Sequence, residues 1–187
     1  MAQQYADVPL SGQAHDAVRT LVDGYVEILV ALLRTAEQDA PFAAVGLDAG
    51  QEGLDVVPNI ALATEADLEA LFAQDPTLGW FYVWNAWEYS DVVEPSPGTP
   101  PPAVIDAWRI VQAELDGNVV DPVLWTLVRV AHALNRQTLP VALTADATVF
   151  AFDEGGGDSQ VDALEFGTPA DVLDRLRRRG YVAREAA

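Results

Sequence analysis

Apolar residues return every three or four positions at Val18, Leu21, Val22, Tyr25, Ile28, Leu29, Leu32, Leu33 and Ala36. That spacing gathers them on one face of an α-helix. The same period recurs at Val104, Ile105, Trp108, Val111 and Leu115, and again at Val123, Leu124, Leu127, Val128, Ala131 and Leu134. Three helices with one apolar stripe each must share a core, so any fold for this chain has to bring the stripes together. The ends are punctuated. Ser11 caps the first helix and Pro41 stops it, giving a helix from Ser11 to about Asp39; Asp116-Gly117-Asn118 closes the second. Asp121-Pro122, a cap followed by proline at the first helical position, opens the third, which runs to about Arg136.

Between these helices the apolar runs are short and β-type. FAAVGLDAG and GLDVVPNIAL flank Gly50 to Gly53, a spacing that suits a hairpin loop. VALTA, ATVFAF and SQVDALEF read as further strands, the last two separated by the turn material Asp153 to Asp158. Thr64-Glu-Ala-Asp67 is a capping box that starts a helix through Phe72, and Thr168-Pro169 starts a final one. In that last helix Arg177, Arg178 and Arg179 precede Gly180, where cations complement the helix dipole and glycine takes the left-handed cap. The order predicts a single α+β domain: an antiparallel sheet of about five short strands packed with about five helices. Residues 1–10 and 181–187 are expected to be flexible. Five prolines between Pro95 and Pro102 make residues 94–102 a stiff surface loop.

Composition narrows the partners. There are 29 acidic residues against 10 basic ones, all arginine, for a net charge of −19. Nucleic acid and anionic membranes are therefore poor partners, and a basic protein is the natural one. Against this functional reading stand two others, coding bias towards arginine and adaptation to a salty cytoplasm that screens self-repulsion. The chain has no cysteine, which excludes disulfides, zinc-thiolate sites and thiol catalysis. Neither a signal peptide nor a membrane span is evident, so the expected location is the cytoplasm.

Six of the ten residues from Trp80 to Tyr89 are aromatic. Trp80, Trp84 and Trp87 have helical spacing, whereas Trp80, Tyr82 and Trp84 alternate as on a strand. Asn85 stands three residues before Glu88 as a helix cap, which predicts a short strand over Trp80–Val83 and a helical turn from Ala86. Such residues are either core packing with satisfied indole N–H groups or partly exposed anchors for a partner.

The W-x-x-W-E-Y element at Trp84, Trp87, Glu88 and Tyr89, the run from Asn59 through Glu65 and the late run from Val149 through Glu154 resemble the bacterial family catalogued as domain of unknown function 4303. The chain departs from that pattern in that Trp87 precedes Glu88, and in its proline-rich loop. The resemblance covers about Ser11 to Gly180 and implies a fold more than an activity. It points towards an immunity role, since small acidic α+β proteins of this kind often sit beside bacterial toxin genes.

Motifs for nucleotide binding, zinc hydrolysis or a nucleophile elbow are absent from the sequence. Of the two histidines, His15 lies near the start of the first helix, and His132 sits in an apolar helical run and reads as structural. Asp153, Glu154 and Asp158 around three glycines offer hard oxygen ligands for Ca²⁺ or Mg²⁺ but lack the alternating spacing of an EF-hand. Acid pairs such as Asp146 with Asp153, or Glu88 with Asp91, suit hydrolysis only at the right separation. The expected function is a non-catalytic, cofactor-free acidic binding protein of the immunity or antitoxin kind. Its expected contact residues are Trp84, Trp87, Glu88, Tyr89, Asp91 and Glu94. The alternatives are a small enzyme or ligand-binding domain built on the acidic loop and His132, and a salt-adapted domain whose charge has no partner.

Overall fold

The computed structural model describes residues 8–75, 77–95, 98–116, 121–152 and 158–182. Seven α-helices and four strands lie in these residues. Helix α1 (Gly12–Leu33) leads into β1 (Phe42–Asp48), a 3-10 stretch (Gly50–Asp55), β2 (Asn59–Thr64) and α2 (Glu65–Phe72). Then follow α3 (Gly79–Val83), a 3-10 turn (Ala86–Glu88), β3 (Asp91–Val93), α4 (Pro102–Leu115) and α5 (Pro122–Leu134). The chain closes with β4 (Leu143–Ala151), α6 (Asp158–Gly167) and α7 (Ala170–Arg179).

The caps work as the sequence predicts. The Ser11 hydroxyl accepts from the Ala14 N–H, Thr64 and Asp67 form a reciprocal capping box, and the Asp121 carboxylate accepts from the Leu124 N–H at 2.9 Å. At the C-terminal end of α7, Gly180 takes φ 82°, the left-handed cap that arginine-rich helix end called for. Such side-chain caps are each worth about 1 kcal/mol.

The sheet has the order β3-β2-β1-β4 and is mixed. β1 pairs antiparallel with β2, and β2 with β3, but β4 lies parallel to β1. Among the described residues, the expectation of a purely antiparallel sheet of about five strands with about five helices is thus corrected to four strands with one parallel pair and seven α-helices. Two helices, α4 and α5, separate β3 from β4, and a connection of that length lets the chain return in the same direction as β1. VALTA and ATVFAF merge into the single strand β4. SQVDALEF is helical instead: Gln160, Ala163 and Leu164 are buried, a three-and-four spacing hidden inside a stretch that reads as β-type. Trp80–Val83 is likewise a helical turn and not a strand, and the short strand of this region is β3, just beyond it.

Strand alternation divides the core into two layers. Val45, Leu47, Ile60, Leu62, Val149 and Ala151 face α1, α4 and α5. Ala44, Ala61, Ala63 and Phe150 face α2, α3 and α7 on the other side. Helix α6 straddles both, giving Ala163 to the first layer and Leu164 to the second. The three predicted apolar stripes therefore do share one core, on one face of the sheet. Gly24 lets two of them meet, since a Cβ there would lie 2.4 Å from Val104 Cγ2 on α4.

Parts of the ends expected to be flexible pack on the core. Residues 1–7 and 183–187 lie outside the described residues, but Val8 and Leu10 pack on the first core layer, and Tyr181 and Val182 are buried in the second. The Ser11 N–H and hydroxyl both donate to Glu114, fixing the entry to α1. In the proline-rich loop the Gly98 carbonyl accepts from the Val57 N–H, and residues 96 and 97 lie outside the described set.

Candidate functional site

Three residues separate Trp84 from Trp87, and they meet different environments. Trp84, directly after α3, is 1% exposed, donates its indole N–H to the Tyr181 carbonyl at 2.5 Å and packs edge-on against Phe150. Burying a side chain of that size is worth about 3 kcal/mol. Tyr89 is also core: its hydroxyl donates to the Val83 carbonyl at 2.6 Å, and burial, aided by the Asp67 charge, pushes its pKa well up. Trp84 and Tyr89, two of the expected contact residues, are therefore internal supports, with no surface to offer a partner. Their side chains satisfy their polar atoms inside the second core layer.

Trp87 is 60% exposed. The 3-10 turn Ala86–Glu88 delivers it, with the Asn85 side-chain Oδ1 accepting from the Trp87 N–H at 3.2 Å as the sequence predicts. Ala86 lies against Gly46, where a Cβ would come within 2.9 Å of the Ala86 methyl, so the glycine in β1 sets how closely the turn approaches the sheet. The indole is held at both ends. Its N–H donates to Asp48 Oδ2 at 3.1 Å, and its ring stands edge-on to Phe152 with centroids 5.3 Å apart.

Asp48 ends β1, and its other carboxylate oxygen accepts from the Gly50 N–H at 2.8 Å. It also lines a hollow of about 340 Å³ together with Asn59, Glu94 and Pro95, at the end of the sheet where β1 and β3 finish and β2 begins. Beside β3 runs a second hollow of about 400 Å³, lined by Thr35, Glu37, Leu62, Asp91, Val93 and Glu94 among others. Glu94 borders both. The exposed carboxylates Glu37, Glu88, Asp91 and Glu94 form no ion pair with any described residue. The arrangement is an exposed indole anchored on Asp48, which lines one acidic hollow, with a second acidic hollow beside β3, and such a surface is suited to a cationic one.

Of the expected contact residues, Trp87 stands beside Asp48 at the end of β1 with the exposed Glu88 next to it in the chain, and Asp91 and Glu94 line the hollow beside β3; the sequence misses Asp48 and Glu37. Asp48 carries a local signal, an aspartate two residues before a glycine at a strand end, which favours an Asx turn. Glu37 carries none, because only the tertiary fold brings the end of α1 against β3.

Only part of the alternative site lies in the described residues. His132 packs against Phe166 in the last turn of α6, with ring centroids 5.8 Å apart, whereas Asp158 opens that helix. About 12 Å of helix separates the two positions. Burial pushes the His132 pKa down and Arg136 pushes it the same way, against a hydrogen bond to the Phe166 backbone that raises it. Asp153 and Glu154 lie outside the described residues, and among those described no three His, Cys, Asp or Glu side chains form a metal-binding group. Asp146, one member of a candidate acid pair, bonds the Arg175 guanidinium at 2.5 Å and lies 3.8 Å from that of Arg179. No described helix is long and apolar enough to cross a membrane. Comparison of the chain with protein-family models, curated proteins and solved structures returns no match.

Proposed function

We propose that the protein is a non-catalytic binding protein that uses its acidic edge to capture a basic protein partner, in the manner of an immunity or antitoxin protein covering a toxin. The observation that carries this reading is Trp87, 60% exposed yet fixed by Asp48 and Phe152, beside carboxylates that lack counter-charges. A rigid indole loses little conformational entropy on binding, which is why tryptophan dominates interface hot spots. Unpaired acids around it steer a basic partner and raise the association rate. The proposal takes in the resemblance to the 4303 family. Two of the resembling segments meet in space, Trp84 and Tyr89 against Phe150 and Trp87 against Phe152.

The test is capture from a lysate of the source cells at low salt, with wild-type protein and the Trp87→Ala variant as parallel baits. The expected result is a basic protein that wild type retains, that rising salt releases, and whose activity purified wild-type protein inhibits. Trp87→Ala is expected to weaken its binding by at least about 2 kcal/mol. Retention indifferent to both salt and Trp87→Ala would count against the reading.

A further inference from the structure

Among the described residues, the two edges of the sheet are finished differently. Along β4, side chains occupy the backbone. The Asn135 amide accepts from the Val149 N–H and donates to the Val149 carbonyl, both at 2.8 Å. Gln160 donates to the Ala151 carbonyl at 3.0 Å, and Arg175 to the Ala145 carbonyl at 2.9 Å. On β3 no described side chain bonds the backbone of Asp91, Val92 or Val93, which pair only with β2. An uncovered edge of this kind is a template for another strand.

The pairing register fixes the chemistry on each side of that edge. Asp91 stands opposite Leu62 and Val93 opposite Ile60, so both face the α1 side, where Glu37 lines the same hollow. Val92 stands opposite Ala61 and faces the other way, 50% exposed. A strand laid along β3 would therefore meet carboxylates on one face and an apolar side chain on the other. A second copy of this chain would bring the same acids into contact and be repelled.

We propose that β3 receives an extended segment of a basic protein as a fifth strand. Arginine or lysine side chains at alternate positions would lie over Asp91 and Glu37, with an apolar residue between them against Val92. The proposal rests on the acidic-binder reading and names the mode of contact within it.

The probe is a fluorescent peptide of about seven residues alternating arginine and valine, measured by anisotropy with the full-length protein. Two further versions carry N-methyl groups on the amides of one edge or of the other. Expected is salt-sensitive binding in which one methylated version loses at least about tenfold and the other stays within about twofold, since only one peptide edge can pair with β3. The double variant Glu37→Lys with Asp91→Lys should also weaken the parent peptide about tenfold or more. Equal binding of both methylated versions overturns strand addition. If that equal binding is still lost in Trp87→Ala and in high salt, the acidic-binder reading stands without it. Absence of any peptide binding also overturns strand addition, and the lysate capture then judges the broader reading separately.

Discussion

The β4 edge and the β3 edge bound the same four-stranded sheet, yet among the described residues one is covered by side chains and nearly charge-compensated while the other is uncovered and acidic. Around β4, Arg175 pairs with Asp146 and Asp171, Arg177 with Glu165, and Arg179 with Glu65. The hydrogen bond to Arg175 holds the Asp171 carboxyl below its usual range, and the same contacts, first with Asp171 and then Asp146, raise the Arg175 pKa. The strand's backbone is met by Asn135, Gln160 and Arg175. Around β3 neither kind of compensation is present among the described residues. Edge strands invite pairing unless they are blocked, and among the described residues three side chains block the β4 edge and none blocks the β3 edge.

The largest effect that would sharpen this contrast belongs to the core beneath it. Trp84→Ala should cost about 4 kcal/mol in urea unfolding, because it removes a buried indole and leaves the Tyr181 carbonyl unpaired. Trp87→Ala should cost under about 1 kcal/mol, since its ring is mostly in solvent. Similar losses for both would erase the division between support and anchor.

Asn135→Ala comes next. It strips three hydrogen bonds, two with Val149 and one to the Gly167 carbonyl at 2.9 Å, and leaves buried backbone groups without partners. A loss of about 2–3 kcal/mol in urea unfolding is expected. A loss below about 0.5 kcal/mol would mean that the β4 edge does not depend on its side-chain cover.

Arg175→Ala should cost about 1 kcal/mol, because its guanidinium is partly exposed and its ion pairs are screened by solvent. Smallest of all is the matching change at the open edge. Neutralising Glu37, Asp91 and Glu94 together, each to its amide, should leave stability within about 0.5 kcal/mol or raise it slightly by relieving like-charge repulsion. A clear loss there would show that these acids serve the fold.

The same contrast shows what the sequence can carry. The stripes of α1, α4 and α5, the caps at Ser11, Thr64 and Asp121 and the glycine cap at Gly180 are local signals, and each is where the residues place it, except that α1 ends at Leu33, before the expected stop near Asp39. The parallel pairing of β1 with β4 depends on how the helices between them pack, which no local pattern encodes. SQVDALEF misleads because it is amphipathic in both periods, and only burial of Gln160 and Leu164 on neighbouring turns decides for the helix. At the site, Asn85 foretells the turn that presents Trp87. Which tryptophan faces solvent was not legible, because Trp84 and Trp87 have the same composition around them and differ in what the sheet places beneath. Glu37 reaches the edge only through tertiary packing.

Amide hydrogen exchange on the free protein tests the asymmetry of the two sheet edges most directly. Because β3 pairs antiparallel with β2, its amides alternate between β2 and the open side, and those of Asp91, Val92 and Val93 that point away from β2 should exchange at least about 100-fold faster than that of Val149, whose N–H the Asn135 side chain holds. Equal protection at β3 and β4 would contradict the account, because it would show that the β3 edge is as closed as its counterpart.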